Sequence, residues 1–172
     1  MKNFTRFLCL AMCLCLLPVF GLATSADAMT AYEAAGVTYY IWNSWPAPEV
    51  QDDYTYYYKT AGNPMNGFVM IMELDSNDTM IPTTENDIKT ALSATVTGLS
   101  SSLGSEVSSE DLVIDGRQGI YFYGVMADLF GLAGYVTVTN AAVVGVVVVD
   151  PAKDEATVRP VLMEVLGITE GI

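Results

Sequence analysis

Carboxylates and aromatic rings are the groups in the body of this chain that could most readily do chemistry or bind. There is no histidine, and Cys9, Cys13 and Cys15 all lie in an N-terminal segment with the pattern of an export signal. A serine nucleophile with a histidine base is therefore excluded, as is cysteine chemistry once that segment is removed. A lysine base is formally available, but no serine–lysine spacing stands out. Carboxylates are plentiful: Glu73 and Asp75 share a face of a predicted strand, and Asp52 and Asp53 stand beside a tyrosine run. Two carboxylates about 5 to 9.5 Å apart are what glycoside hydrolysis uses. So acidic a chain makes such pairs by chance, and a carboxylate-dependent hydrolase is the third reading here. Metal binding through oxygen alone would mean calcium or magnesium. Asp75, Ser76, Asn77 and Asp78 resemble the opening of a calcium loop, yet the sixth position is not glycine and Asn86 stands at the twelfth. A polar turn between strand and helix is the preferred reading. Asn77, Asp78 and Thr79 form a glycosylation sequon that matters only in a eukaryotic host. No cofactor and no metal is implied.

The aromatic residues are more informative. Trp42, Trp45, Tyr54, Tyr56 and Tyr58 cluster in two early predicted strands. Alternating tyrosines can stack on sugar rings or on a hydrophobic partner. Alternatively they cover a sheet beneath a helix, as strand propensity alone would have it. Our hypothesis is that part of the cluster is exposed and binds. Leu129 and Phe130 are a second candidate contact, because they fall in a link between paired strands where polar residues are usual. Packing beneath a neighbouring loop is the competing explanation.

The elements that position these residues follow from periodicity. A first strand is expected over 36–42, ending at the prolines Pro46 and Pro48. A second over 53–59 puts Tyr54, Tyr56 and Tyr58 on one face. Ala61 to Pro64 read as a turn, and a third strand over 67–74 is apolar on both faces, which predicts that both are covered. A helix follows, capped by Thr83 or Thr84, with Glu85 and Asp87 in its first turn. Its stripe is Ile88, Leu92, Val96, Leu99 and Leu103, and Gly104 ends it. From Glu106 onward the pattern is an antiparallel meander: 111–115, a tight turn at Asp115 and Gly116, then 117–126, a link at 127–131, then 132–139 and 141–149. The last of these holds four consecutive valines and must be interior. Asp150 and Pro151 read as a cap and a helix start, and Val158, Val161, Leu162, Val165 and Leu166 form a second stripe up to Gly167. Pro160 predicts a kink or a restart. The architecture expected is α/β (α+β), a three-layer α/β/α sandwich with two main helices and a central, mainly antiparallel sheet of about six to seven strands.

That order resembles the PsbP-like superfamily. The residues carrying the resemblance are the strand ending at Trp45 and Pro46, the run from Tyr54 to Tyr58, the strand from Gly67 before the helix, and Asp115, Gly116 and Arg117 followed by Tyr121 and Tyr123. The closing strand before Asp150 and Pro151 completes the likeness, which covers residues 29–172 as one globular domain. These are fold positions, not a catalytic signature. The resemblance implies a non-enzymatic accessory or partner-binding module, since characterised members act in oxygen evolution, in small-GTPase binding and as secretion chaperones.

Export is read from the N-terminus. Lys2 and Arg6 precede an apolar run over 7–22, and Ala26, Asp27 and Ala28 offer a cleavage site, so residues 1–28 are expected to be a signal peptide. Met12 and Leu14 stand before Cys13 and Cys15 where a lipid-attachment motif needs a small residue. The run is shorter than the roughly 20 residues a membrane span requires, and Pro18 breaks it. No transmembrane segment is expected after processing. The chain has 20 acids and 7 bases; removing Asp27, Lys2 and Arg6 leaves a net charge of −14. Nucleic acid and anionic lipid would repel such a surface, and the absence of disulfides fits a bacterial source. The expected protein is a secreted or cell-envelope binding module for a protein, peptide or envelope component, with a carbohydrate-binding domain as the leading alternative. Its partner and oligomeric state are not legible in the residues.

Overall fold

The computed structural model describes residues 28–75, 80–103 and 106–168. The signal-peptide assignment and the calcium-loop-like turn with its sequon fall outside them, apart from Ala28 and Asp75. The strands are β1 (Met29–Ala34), β2 (Val37–Trp42), β3 (Glu49–Gln51), β4 (Tyr54–Tyr58), β5 (Phe68–Asp75), β6 (Ser108–Ile114), β7 (Arg117–Met126), β8 (Phe130–Val138) and β9 (Ala142–Asp150). Helix α1 (Glu85–Leu103) follows β5, and α2 (Glu155–Val165) follows β9. Seven strands form one sheet in the order β3-β4-β5-β9-β8-β7-β6, while β1 and β2 form a separate hairpin. Every pairing is antiparallel.

The valine-rich β9 is the middle strand, as its composition requires. Val144, Val146 and Val148 project to one face with Val69, Ile71, Ala133, Tyr121 and Tyr135, and there α2 and the β1–β2 hairpin cover them. Val143, Val147 and Val149 project to the other with Leu132, Val136, Ile120 and Phe122, toward α1. α2 packs on β8 and β9, whereas α1 packs on β7 and β8. The α1 layer is thus displaced toward the β7 side.

Several boundaries differ from expectation. The first strand over 36–42 becomes β2, and it pairs with an unanticipated β1 outside the main sheet. β1 is hard to read because only Ala34 in it is buried, so it shows no apolar alternation. Ala35 and Gly36 form the connecting turn with φ of 44° and 85°, as a two-residue hairpin loop demands. The second helix is capped by Asp154, whose Oδ1 accepts from Thr157 N at 2.9 Å. Asp150 instead ends β9, and its carboxylate accepts from Ala152 N at 2.8 Å, turning the chain before the helix begins. Helix α2 also runs through Pro160 unbroken, because the proline is exposed while Val158, Leu162, Met163 and Val165 anchor the buried side.

Between the β1–β2 hairpin and the sheet, the hydroxyls of Tyr39 and Tyr57 lie 3.0 Å apart, both rings being buried. Tyr57→Phe is expected to cost about 1–3 kcal/mol, since it strands the Tyr39 hydroxyl without its partner. Replacing both by phenylalanine should cost less than the two single changes together. Urea unfolding of the four proteins measures this, and strictly additive losses would show that the hydroxyls do not interact.

Candidate functional site

Strand alternation sorts the five predicted aromatic residues into two neighbouring groups. Tyr54, Tyr56 and Tyr58 project from one face of β4 while Tyr57 is buried on the other. Their rings form a row, with centroids 6.2 Å apart for Tyr54 and Tyr56 and 6.1 Å for Tyr56 and Tyr58, the latter pair nearly parallel at 7°. The register sets Met72, Met70 and Phe68 opposite Tyr54, Tyr56 and Tyr58. Phe68 touches two of these rings, at 6.0 Å from Tyr56 and 5.8 Å from Tyr58. All six side chains are half-buried. Both faces of the third strand meet a core cluster, as expected, but unequally. Val69 and Ile71 are sealed beneath the hairpin and α2, whereas the Phe68 side lies beyond the strands on which α1 sits. Partial burial, reinforced by the neighbouring Tyr54 and Tyr58, raises the pKa of the Tyr56 phenol, which stays neutral at physiological pH.

Trp42 and Trp45 form the second group. Trp42 ends β2, and a turn closed by Trp45 N donating to Trp42 O at 3.0 Å stacks the indoles with centroids 4.8 Å apart. They line a largely apolar pocket of about 220 Å³ together with Lys59, Phe68, Val149 and Val161. Gly67 completes its wall with φ of 95°; a Cβ there would lie 2.8 Å from the Val149 carbonyl oxygen, so only glycine fits. Phe68 both lines this pocket and touches Tyr58, so it links the two groups around the end of β5, the indoles packing on the α2 side of the sheet and the tyrosine row standing on the other.

The coordinates superpose on the solution structure of cyanobacterial PsbP (CyanoP) from Synechocystis sp. PCC 6803 with a TM-score of 0.51 and 12% identity, over 84% of this chain and 93% of that chain. The fold is PsbP-like. A protein of unknown function from Pseudomonas aeruginosa, PA94, aligns with a TM-score of 0.48 and 12% identity over 84% of this chain and 97% of that one. No protein-family model and no curated protein matches the sequence.

On this PsbP-like scaffold the second candidate pair separates. Phe130 is the first residue of β8, and its inward register leaves it 8% exposed in the core beneath α1. It is a packing residue, a correction forced by strand pairing that extends to Met126 opposite Phe130. Leu129 stays outside, 57% exposed at the tip of a turn whose Ala127 and Asp128 both have positive φ. Lys153 holds that turn through the Asp128 carbonyl and carboxylate at 2.8 and 3.0 Å. The two sequence-predicted carboxylate pairs do meet, since Asp52, Asp53, Glu73 and Asp75 line one open hollow. Among the described residues no three acidic side chains are placed to hold a metal ion, and no helix is long and apolar enough to cross a membrane. Sequence reasoning missed Met70 and Met72 as surface residues, because only the β4–β5 register shows that they extend the tyrosine row.

Proposed function

We propose that this chain is an exported, non-catalytic accessory module that recognises a protein, peptide or envelope component through the surface of Tyr54, Tyr56, Tyr58, Phe68 and the Trp42–Trp45 pocket. The observation that carries this reading is the row of half-buried aromatic and methionine side chains on β4 and β5, to one side of α1. Large rigid rings with partly dry surroundings supply contact area at little entropic cost, and such residues dominate binding hot spots. The PsbP-like fold supports an accessory role. Carbohydrate binding is the second reading, favoured by the stacked indoles lining an apolar pocket.

The test compares the wild-type protein with Trp42→Ala and Tyr56→Ala as baits for the envelope fraction of the producing cells, alongside a glycan array. Each substitution is expected to lower capture of the specific partner by about tenfold or more, while circular dichroism shows a folded protein. Capture unchanged in both variants would reject the aromatic surface. Array binding lost in Trp42→Ala would select the carbohydrate reading.

A further inference from the structure

We propose that the outer edge of β6 is a second binding site, which takes an extended basic segment of another protein as an added strand. It is independent of the aromatic surface, which lies toward the opposite end of the sheet.

The sheet has two edges, and they are unlike. On one side β3 is only three residues long, a blunted edge of the kind that resists further pairing. On the other, β6 runs for seven residues and pairs with β7 along its whole length, from Ser108 opposite Tyr123 to Ile114 opposite Arg117. Among the described residues, no backbone hydrogen bond joins β6 to any segment other than β7. Its outward N–H and C=O groups therefore form a template for one more strand.

Beside this edge, on the α1 side, lies a hollow of about 270 Å³ bordered by Lys89, Leu92 and Ser93 of α1, Asp111 and Val113 of β6, and Gln118 of β7. Val113 is 62% exposed there, an apolar side chain without cover. Alternate side chains of an added strand point to one face. One of them would enter the hollow and meet Val113 and Leu92, which requires an apolar residue at that position. Strand pairing then supplies affinity, and the hollow supplies selectivity.

Charge decides the occupant. Glu110 is paired with Arg159 at 2.6 Å, and Lys89 with Glu85 at 3.3 Å. Asp111, exposed at the middle of the edge, forms no ion pair among the described residues, and Glu106 and Asp115 flank the strand. Arg117, opposite Ile114 at one end of the edge, is outnumbered by these three carboxylates, so the balance is negative, on a chain whose formal net charge is −13. A second copy is a poor fit, because antiparallel pairing centred on Asp111 would set two identical carboxylates opposite each other. Lysine or arginine alternating with apolar residues fits both the charge and the hollow.

The probe is an end-blocked heptapeptide alternating lysine and valine, with a glutamate–valine peptide as control, titrated into the protein and followed by amide NMR and hydrogen exchange. The lysine peptide is expected to protect amides of β6 and to shift Leu92 and Val113, binding about tenfold tighter than the control. Asp111→Lys, at an exposed site, should weaken it by about fivefold, and Tyr56→Ala should leave it unchanged. Equal affinity for the two peptides, shifts confined to the aromatic surface, no binding, or concentration-dependent dimerisation through β6 would each overturn the proposal.

Discussion

Phe122→Ala is expected to cost about 3–5 kcal/mol and to lower Tm by about 10–20 °C. Phe122 is fully buried on β7, facing α1, and its ring lies over Gly134 across the β7–β8 pair. A Cβ built on Gly134 would fall 2.2 Å from the ring's Cζ. The glycine is therefore a seat for the aromatic ring, and the two residues form one packing unit. Gly134→Ala alone should cost about 1–3 kcal/mol, because the enclosed ring has little room to shift. In the Phe122→Ala background the same methyl enters the vacated space, and the change should be neutral or stabilising. A double-mutant cycle by chemical denaturation reads the sign reversal. The same loss for Gly134→Ala in both backgrounds would show that ring and glycine do not share this space.

Stability is also expected to fall steeply above about pH 10, the ordinary pKa of a tyrosine. Tyr39, Tyr57, Tyr121 and Tyr135 are 5%, 3%, 1% and 2% exposed, and desolvation raises the pKa of all four. For Tyr121 the Glu155 carboxylate, which accepts its hydroxyl at 2.9 Å, raises it further. For Tyr39 the bond to Tyr57 acts in the same direction, while for Tyr57 that bond partly offsets burial. Above pH 10 the unfolded chain releases phenol protons that the folded protein keeps, so the unfolded state binds fewer. Stability is thus fully present below the unfolded pKa and declines as pH rises toward the folded values, by up to about 1.4 kcal/mol per pH unit for each such tyrosine. Several such tyrosines acting together bring the loss into the range of a typical folding free energy. Circular dichroism and phenolate absorbance should change together during alkaline titration. Complete phenolate formation near pH 10 with the fold intact would contradict the burial argument.

How much of this was legible depended on whether the signal was local. Asp115 and Gly116 form the expected hairpin turn with φ of 50° and 76°, because that conformation is set by the two residues themselves. The helix over Glu85–Leu103 begins where Thr84 and Asp87 bond to each other, and a threonine and an acid three residues on are readable without coordinates. The valines of β9 announced a strand covered on both faces. Whether Phe130 packs inward or contacts a partner is not a local property, since one residue of register decides between link and core. The five aromatic residues were recognised by type, but their division into a row and a pocket, joined through Phe68, was not.

Residue order alone determined an acidic chain without imidazole, its sequence of strands and helices, and the alternation that puts Tyr54, Tyr56 and Tyr58 on one side. These are near-neighbour properties, governed by side-chain period and turn chemistry. Only the tertiary structure decided that β1 and β2 leave the main sheet, that α1 covers β7 and β8 while β4 lies to one side, and that β6 ends the sheet with a flank unpaired among the described residues. Those outcomes depend on which distant segments pair and in what register, and pairing energy between strands far apart in sequence is not written in any single window of residues.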